Sequence, residues 1–130
     1  MKIVSIVARY LLGLMFTVIG LNGFLNFLHQ PPPANPVAIQ FLVAVSVSHF
    51  AAFFFALQVV GGLLLLSGYF VPLALTVLAA ELYNILAFHV TLAPASIPPA
   101  LVACVLWVLV FLQYRASFNG IFSVKPATRA

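Results

Sequence analysis

The chain has 130 residues, of which 65% are apolar and 5% are charged, and its mean hydropathy is +1.26. A soluble domain is about half apolar and about a quarter charged, so this chain has too few charged residues to cover a solvent-exposed surface. It excludes a soluble enzyme, a disordered segment and a nucleic-acid-binding domain, although the isoelectric point is about 9.7. The single cysteine, Cys104, excludes an internal disulfide and a cysteine-based zinc site.

Four stretches are long and apolar enough to form membrane-spanning helices, which need about 20 mainly apolar residues. They are predicted at about residues 3–27, 49–66, 70–90 and 97–114. Segments containing proline separate them, because proline lacks an N–H and interrupts a helix. The predicted fold class is all-α, a polytopic four-transmembrane-helix bundle that forms one domain over residues 1–130. The first stretch is expected to stay as a span, since it is too long for the apolar region of a signal peptide.

Residues 37–48 are apolar but are interrupted by Gln40, Ser46 and Ser48. Together with the second span they exceed the length that one membrane crossing needs. We predict that they form a short extra helix in the first outer loop. A single long tilted helix is the alternative.

The positive charges predict the orientation of the chain. All five Lys and Arg residues lie within the first ten or the last sixteen residues of the sequence. Basic residues near the ends of spans favour the cytoplasmic side of a membrane. Because four spans also place both termini on one side, both termini are predicted to be cytoplasmic.

Glu81 is the only acidic residue of the chain and lies near the middle of the third span. Charged groups at that depth are costly and usually face a partner or a cavity. Arg9 is the only basic residue within a predicted span, and it lies about 9 Å from the cytoplasmic end, against about 16 Å for Glu81. Since an arginine side chain can bridge this offset, we predict an Arg9–Glu81 interaction between the first and third spans. The alternative is that Arg9 extends to the headgroups while Glu81 is neutral.

Other polar side chains share the membrane depth of Glu81 or lie further out. The candidate ligand or pocket residues are Arg9, Glu81, Asn84, His89, Gln58 and His49. Two histidines on different helices can ligate haem, but His49 and His89 share only their depth, and we expect no haem. One acid and three scattered histidines lack the ligand number and spacing of a zinc or di-iron site, so no metal is expected. No catalytic residue is predicted.

Three sequence patterns occur in a defined order along the chain. They are Ala8–Leu14 followed by Gly20 and Gly23, Gln58–Gly68 with its double glycine, and Asn84–His89 followed by Ala93 and Pro94. In this order and spacing, from about Arg9 to Phe122, the chain resembles the DoxX-like family of integral membrane proteins. The resemblance departs from the family at Gln58, where many relatives carry a glutamate.

The resemblance implies a four-helix bundle in the bacterial inner membrane that serves as a subunit or accessory of a membrane redox system. On this basis a lipophilic molecule such as a quinone is expected in a polar pocket of Arg9, Glu81, Asn84 and His89. Two alternatives remain open: a structural or scaffold subunit without its own activity, and a small-solute or proton-coupled carrier. The expected partners are the lipid bilayer and either a second copy of the chain or a larger membrane complex, with no nucleic acid.

Overall fold

The computed structural model describes residues 1–129, which form helices and no strand. The α-helices are α1 (Lys2–Leu25), α2 (Pro36–Val47), α3 (Phe50–Ser67), α4 (Val71–Leu92) and α5 (Pro98–Tyr114). Two short 3₁₀ turns follow α4 and α5, at Pro94–Ser96 and Arg115–Phe118. The predicted all-α fold class is confirmed.

Four helical segments are long and apolar enough to cross a membrane: α1, α3, α4, and α5 together with the 3₁₀ turn that follows it, Pro98–Phe118. The α-helices α1, α3, α4 and α5 correspond to the four predicted spans, and each boundary lies within two residues of its predicted position. The chain is therefore a multi-pass membrane protein. We call the end of the bundle where α1 begins and α5 ends the charged end, because the cationic residues flank it.

The extra helix predicted in the first outer loop is confirmed as α2. Pro36 occupies its first turn, and the Asn35 side chain accepts a hydrogen bond of 2.9 Å from the Val37 N–H, which caps the helix. After α2 the backbone turns at His49, which has a left-handed φ of 61°. This turn separates α2 from α3, so the alternative of a single long tilted helix is wrong.

The four spans surround one apolar core, and each span packs against two others. α1 packs against α3 and α5, and α4 packs against the same two helices, so α1 and α4 occupy opposite corners of the bundle. Leu12, Leu75 and Leu78 are fully buried in the core. The Trp107 Nε1–H of α5 donates a hydrogen bond of 2.9 Å to the Leu75 carbonyl of α4, which ties these two spans together.

The contact between α1 and α3 is the closest in the bundle, and we call it the α1–α3 seam. A Cβ placed on Gly62 would lie 2.8 Å from the Gly13 carbonyl oxygen and 2.7 Å from the Thr17 nitrogen. A Cβ on Gly20 would lie 2.9 Å from the carbonyl oxygen of Phe55. Small residues allow helix backbones to approach closely in lipid, where no hydrophobic force drives helices together. The seam therefore depends on glycine at these positions.

Candidate functional site

The bundle interior contains a buried amide and a buried carboxyl in contact, the Gln58–Glu81 pair. Gln58 is 2% exposed and Glu81 is 3% exposed. The Gln58 Nε2 donates a hydrogen bond of 3.4 Å to the Glu81 Oε2. Gln58 is the ninth of 18 residues in α3, and Glu81 is the eleventh of 22 residues in α4. The pair therefore joins α3 to α4 at mid-membrane depth.

The pair has unused hydrogen-bonding capacity. The Oε1 atom of Gln58 is buried and has no hydrogen-bond partner within residues 1–129, and the same holds for the hydroxyl of Thr17. A buried polar atom left without a partner costs about 1–3 kcal/mol. The bond between Gln58 and Glu81 is also longer than the usual 2.7–3.2 Å of an N–H···O bond. A ligand with its own donors and acceptors can thus improve the hydrogen bonding here.

The Gln58–Glu81 pair is surrounded by apolar side chains, at a point where α3 and α4 pack closely. One turn toward the charged end, a Cβ on Gly61 would lie 2.7 Å from the Leu78 Cδ2, so α3 and α4 approach each other closely in this layer. Leu78 is fully buried, and Leu82, the neighbour of Glu81 in the chain, is 5% exposed. Buried leucines therefore precede and follow the Glu81 carboxyl along α4.

The predicted Arg9–Glu81 interaction is wrong. The Arg9 guanidinium instead donates a hydrogen bond from Nη1 to the Leu65 carbonyl, in the last turn of α3, and its Cζ lies 4.6 Å from the centroid of the Tyr10 ring. The physical reason is the arrangement of the helices, since α1 and α4 lie at opposite corners of the bundle and α3 is the neighbour of both. Carbonyls in the last turn of a helix lack intrahelical donors and form the negative end of the helix dipole, which favours a cation.

Arg9→Gln is expected to lower the free energy of unfolding by about 1 kcal/mol, because the last turn of α3 loses a charged donor. The measurement is the thermal unfolding of the protein in detergent, followed by circular dichroism. Lys2→Gln is the matched control, since it removes the same charge from an exposed residue of α1. Equal stability of the two variants would show that the bond between Arg9 and Leu65 contributes nothing.

Asn84, His89 and His49 do not join the pair. Asn84 is exposed, and its Nδ2 donates a hydrogen bond of 2.9 Å to the Ala80 carbonyl of its own helix. The Nδ1 of His89 lies 2.7 Å from the carbonyl oxygen of Ile85, also within α4. His49 is exposed at the start of α3. Of the six candidate residues, only Gln58 and Glu81 contact each other, and the other four lie apart from them. The predicted pocket of Arg9, Glu81, Asn84 and His89 is therefore not formed.

Sequence reasoning missed Thr17, whose hydroxyl is buried in the α1–α3 seam. Thr17 lies four residues after Gly13 and three before Gly20, so all three residues share one face of α1. This spacing could have identified Thr17 from the sequence. A threonine on a glycine-rich face of a membrane helix is expected to face a neighbouring helix.

Two cavities lie at the ends of the bundle, away from the pair. One has a volume of about 280 Å³ and lies between the start of α1 and the end of α5, and we call it the terminal cavity. The other, of about 200 Å³, lies at the opposite end and is lined by Phe24, Ala52, Phe53 and Ala56.

Comparisons of the chain with protein-family models, with curated proteins and with solved structures give no match. The DoxX-like resemblance therefore stays a prediction, carried by the three sequence patterns alone.

Proposed function

We propose that this protein is a small membrane-integral accessory subunit of a redox system, and that it binds a lipophilic molecule of the quinone class at the Gln58–Glu81 pair. The observation that carries the proposal is a carboxyl and an amide buried at the middle of two spans, with the Gln58 Oε1 unpartnered within residues 1–129. The DoxX-like resemblance supports the association with redox chemistry. The cationic residues at both termini support placement in the bacterial inner membrane with cytoplasmic termini.

The chemistry of the pair suits both oxidation states of a quinone. A quinone site needs apolar walls and one or two hydrogen-bonding groups that fix the ring. The Nε2 of Gln58 and, in its neutral form, the Glu81 carboxyl can donate to a quinone carbonyl. The Oε1 of Gln58 can accept a hydrogen bond from a quinol hydroxyl. Binding requires the contact between α3 and α4 to open, and the long bond between Gln58 and Glu81 is the interaction that the ligand replaces.

Glu81→Gln and Gln58→Leu are each expected to weaken binding of a short-chain quinone about tenfold, the effect of losing one hydrogen bond of roughly 1.4 kcal/mol in a buried site. Quinones quench tryptophan fluorescence, and the chain has a single tryptophan, Trp107, whose indole contacts α4. The measurement is the saturable quenching of Trp107 in the detergent-solubilised protein.

Asn84→Leu is the matched control for these variants, because Asn84 lies on α4 one turn from Glu81 but is exposed. It is expected to bind the quinone as the unaltered protein does. Quenching that fails to saturate, or that is the same in Glu81→Gln as in the unaltered protein, would refute the proposed site.

A second candidate is a structural subunit, favoured by a separate observation. Arg9 bonds to the end of α3, the α1–α3 seam brings two backbones into contact, and the Gln58–Glu81 pair links α3 to α4. In this role the polar residues hold α3 between its two neighbours, and the bundle presents a fixed surface to a second copy or to a larger complex. Substitutions in the pair would then change stability with no ligand involved.

A further inference from the structure

The terminal cavity lies where the membrane surface is expected, at the charged end of the bundle. It has a volume of about 280 Å³ and is lined by Met1, Ser5, Leu109, Leu112, Gln113 and Arg115. Since α1 begins and α5 ends here, one side of the cavity is formed by polar groups near the helix ends. Leu109 and Leu112 form an apolar side within the span.

Arg115, the cationic side chain that lines this cavity, has no acidic side chain as a counterion within residues 1–129. The formal net charge is +4, and Glu81 is the only acidic residue of the sequence. Glu81 is buried halfway along α4 and bonds to Gln58, so it cannot neutralise Arg115 at the end of α5. Lys2 adds a second cation next to Met1, at the start of α1. The Arg115 guanidinium is therefore free to pair with an anion from outside the chain.

Ser5 and Arg115 line the same cavity, and the first turn of α1 lies beside it. Ser5 is 4% exposed, lines the cavity, and takes part in none of the side-chain hydrogen bonds formed within residues 1–129. α1 starts at Lys2 without a side-chain cap, so the N–H groups of its first turn have no acceptor in the helix. These N–H groups form the positive end of the helix dipole, which favours anions. The Arg115 guanidinium adds a planar set of donors that suits a phosphate.

We propose that the terminal cavity binds a phosphate group, supplied by the headgroup of an anionic phospholipid. Basic pockets between membrane helices bind lipid headgroups, and the apolar side formed by Leu109 and Leu112 is placed to contact an acyl chain. A free phosphate ion offers the same polar chemistry without the acyl chain. This site is separate from the Gln58–Glu81 pair and does not depend on the function proposed there.

The test is native mass spectrometry of the full chain in detergent with equal amounts of phosphatidylglycerol and phosphatidylcholine. The protein is expected to retain phosphatidylglycerol preferentially, and Arg115→Gln is expected to reduce that retention about fivefold, the effect of one basic residue at a membrane surface. Lys125→Gln is the matched control, because Lys125 is exposed and does not line the cavity. Equal retention of the two lipids, or equal loss in the two variants, would overturn the proposal.

Two further experiments complete the test. The first alters the cavity without changing any charge, and the second distinguishes a lipid headgroup from a free phosphate ion. Leu112→Trp keeps every charge, fills the apolar side of the cavity, and is expected to reduce phosphatidylglycerol retention with unchanged helicity; undiminished retention would overturn the site. In the other arm, lipid-free protein is titrated with inorganic phosphate. Stabilisation that Arg115→Gln abolishes would assign the phosphate site to the free ion, whereas lipid retention without such stabilisation assigns it to the headgroup.

Discussion

Gly62→Ala is expected to lower the free energy of unfolding by about 2 kcal/mol, because the added methyl group overpacks the α1–α3 seam. The new Cβ would lie 2.7 Å from the Thr17 nitrogen and 2.8 Å from the Gly13 carbonyl oxygen, and both atoms belong to the α1 backbone. Backbone atoms cannot rotate away, so α1 and α3 must separate along the seam. The higher helix propensity of alanine, worth up to about 1 kcal/mol, offsets only part of this cost.

Gly61→Ala offers a sharp comparison at the neighbouring position. Its Cβ would meet the end of the Leu78 side chain at 2.7 Å, and a leucine side chain can adjust where a backbone cannot. We therefore expect a smaller loss of stability for Gly61→Ala than for Gly62→Ala. Gly120→Ala is the control, since a Cβ there meets nothing within 4 Å. The measurement is unfolding in mixed micelles, and equal stability of the Gly61 and Gly62 variants would contradict the seam.

Gln58→Leu and Glu81→Leu are each expected to lower the free energy of unfolding by about 2 kcal/mol, because each leaves the other polar group buried without its partner. The double variant removes both polar groups and is expected to recover most of the loss, since an apolar pair of similar size needs no hydrogen bond. A double-mutant cycle in detergent measures this coupling. Additive losses in the double variant would show that the two side chains do not interact.

The double variant also separates the two candidate functions. If the pair binds a quinone, the protein with Gln58→Leu and Glu81→Leu stays folded but loses saturable quenching of Trp107. If the pair only links α3 to α4, neither the unaltered protein nor the double variant shows saturable quenching of Trp107. If the pair binds a quinone, the double variant therefore loses ligand binding while it keeps most of its stability.

The spans and the extra helix could be predicted from the sequence because their causes are local. Apolar stretches of sufficient length are typical of membrane helices, and prolines such as Pro36 and Pro72 mark where helices begin. Even the separation of α2 from α3 was indicated by the excess length of residues 37–66 over one crossing. The left-handed turn at His49 that produces the separation was not visible in the residue types.

The candidate site was predicted less well because it depends on which helices are neighbours. Membrane depth indicates that an Arg9 side chain could reach Glu81, but depth does not indicate that α1 and α4 lie at opposite corners. The glycine face of α1 does indicate a close neighbour, and Gly62 of α3 is the residue that fills that role. Gln58 lies one turn from Gly62 on α3, so the double glycine was the best available pointer to the partner of Glu81.

The prediction that Asn84 and His89 share a pocket with Glu81 was wrong for a different physical reason. In a membrane helix, a short polar side chain can satisfy itself by bonding to a carbonyl one turn earlier, and both residues do so, at Ala80 and Ile85. Their presence near Glu81 in sequence therefore did not require a shared pocket. The side-chain carboxyl of Glu81 instead accepts its hydrogen bond from Gln58 of α3.

The most direct test of the Gln58–Glu81 pair is a solid-state NMR measurement of the partner of Glu81 in a lipid bilayer. Because Glu81 is the only acid, labelling glutamate with ¹³C marks a single side-chain carboxyl, and ¹⁵N can be introduced into glutamine or into arginine side chains. The Gln58–Glu81 pair predicts dipolar recoupling of the Glu81 carboxyl with a glutamine side-chain nitrogen, lost in Gln58→Leu, and no recoupling with a guanidinium. Recoupling with arginine nitrogen, lost in Arg9→Gln, would contradict it.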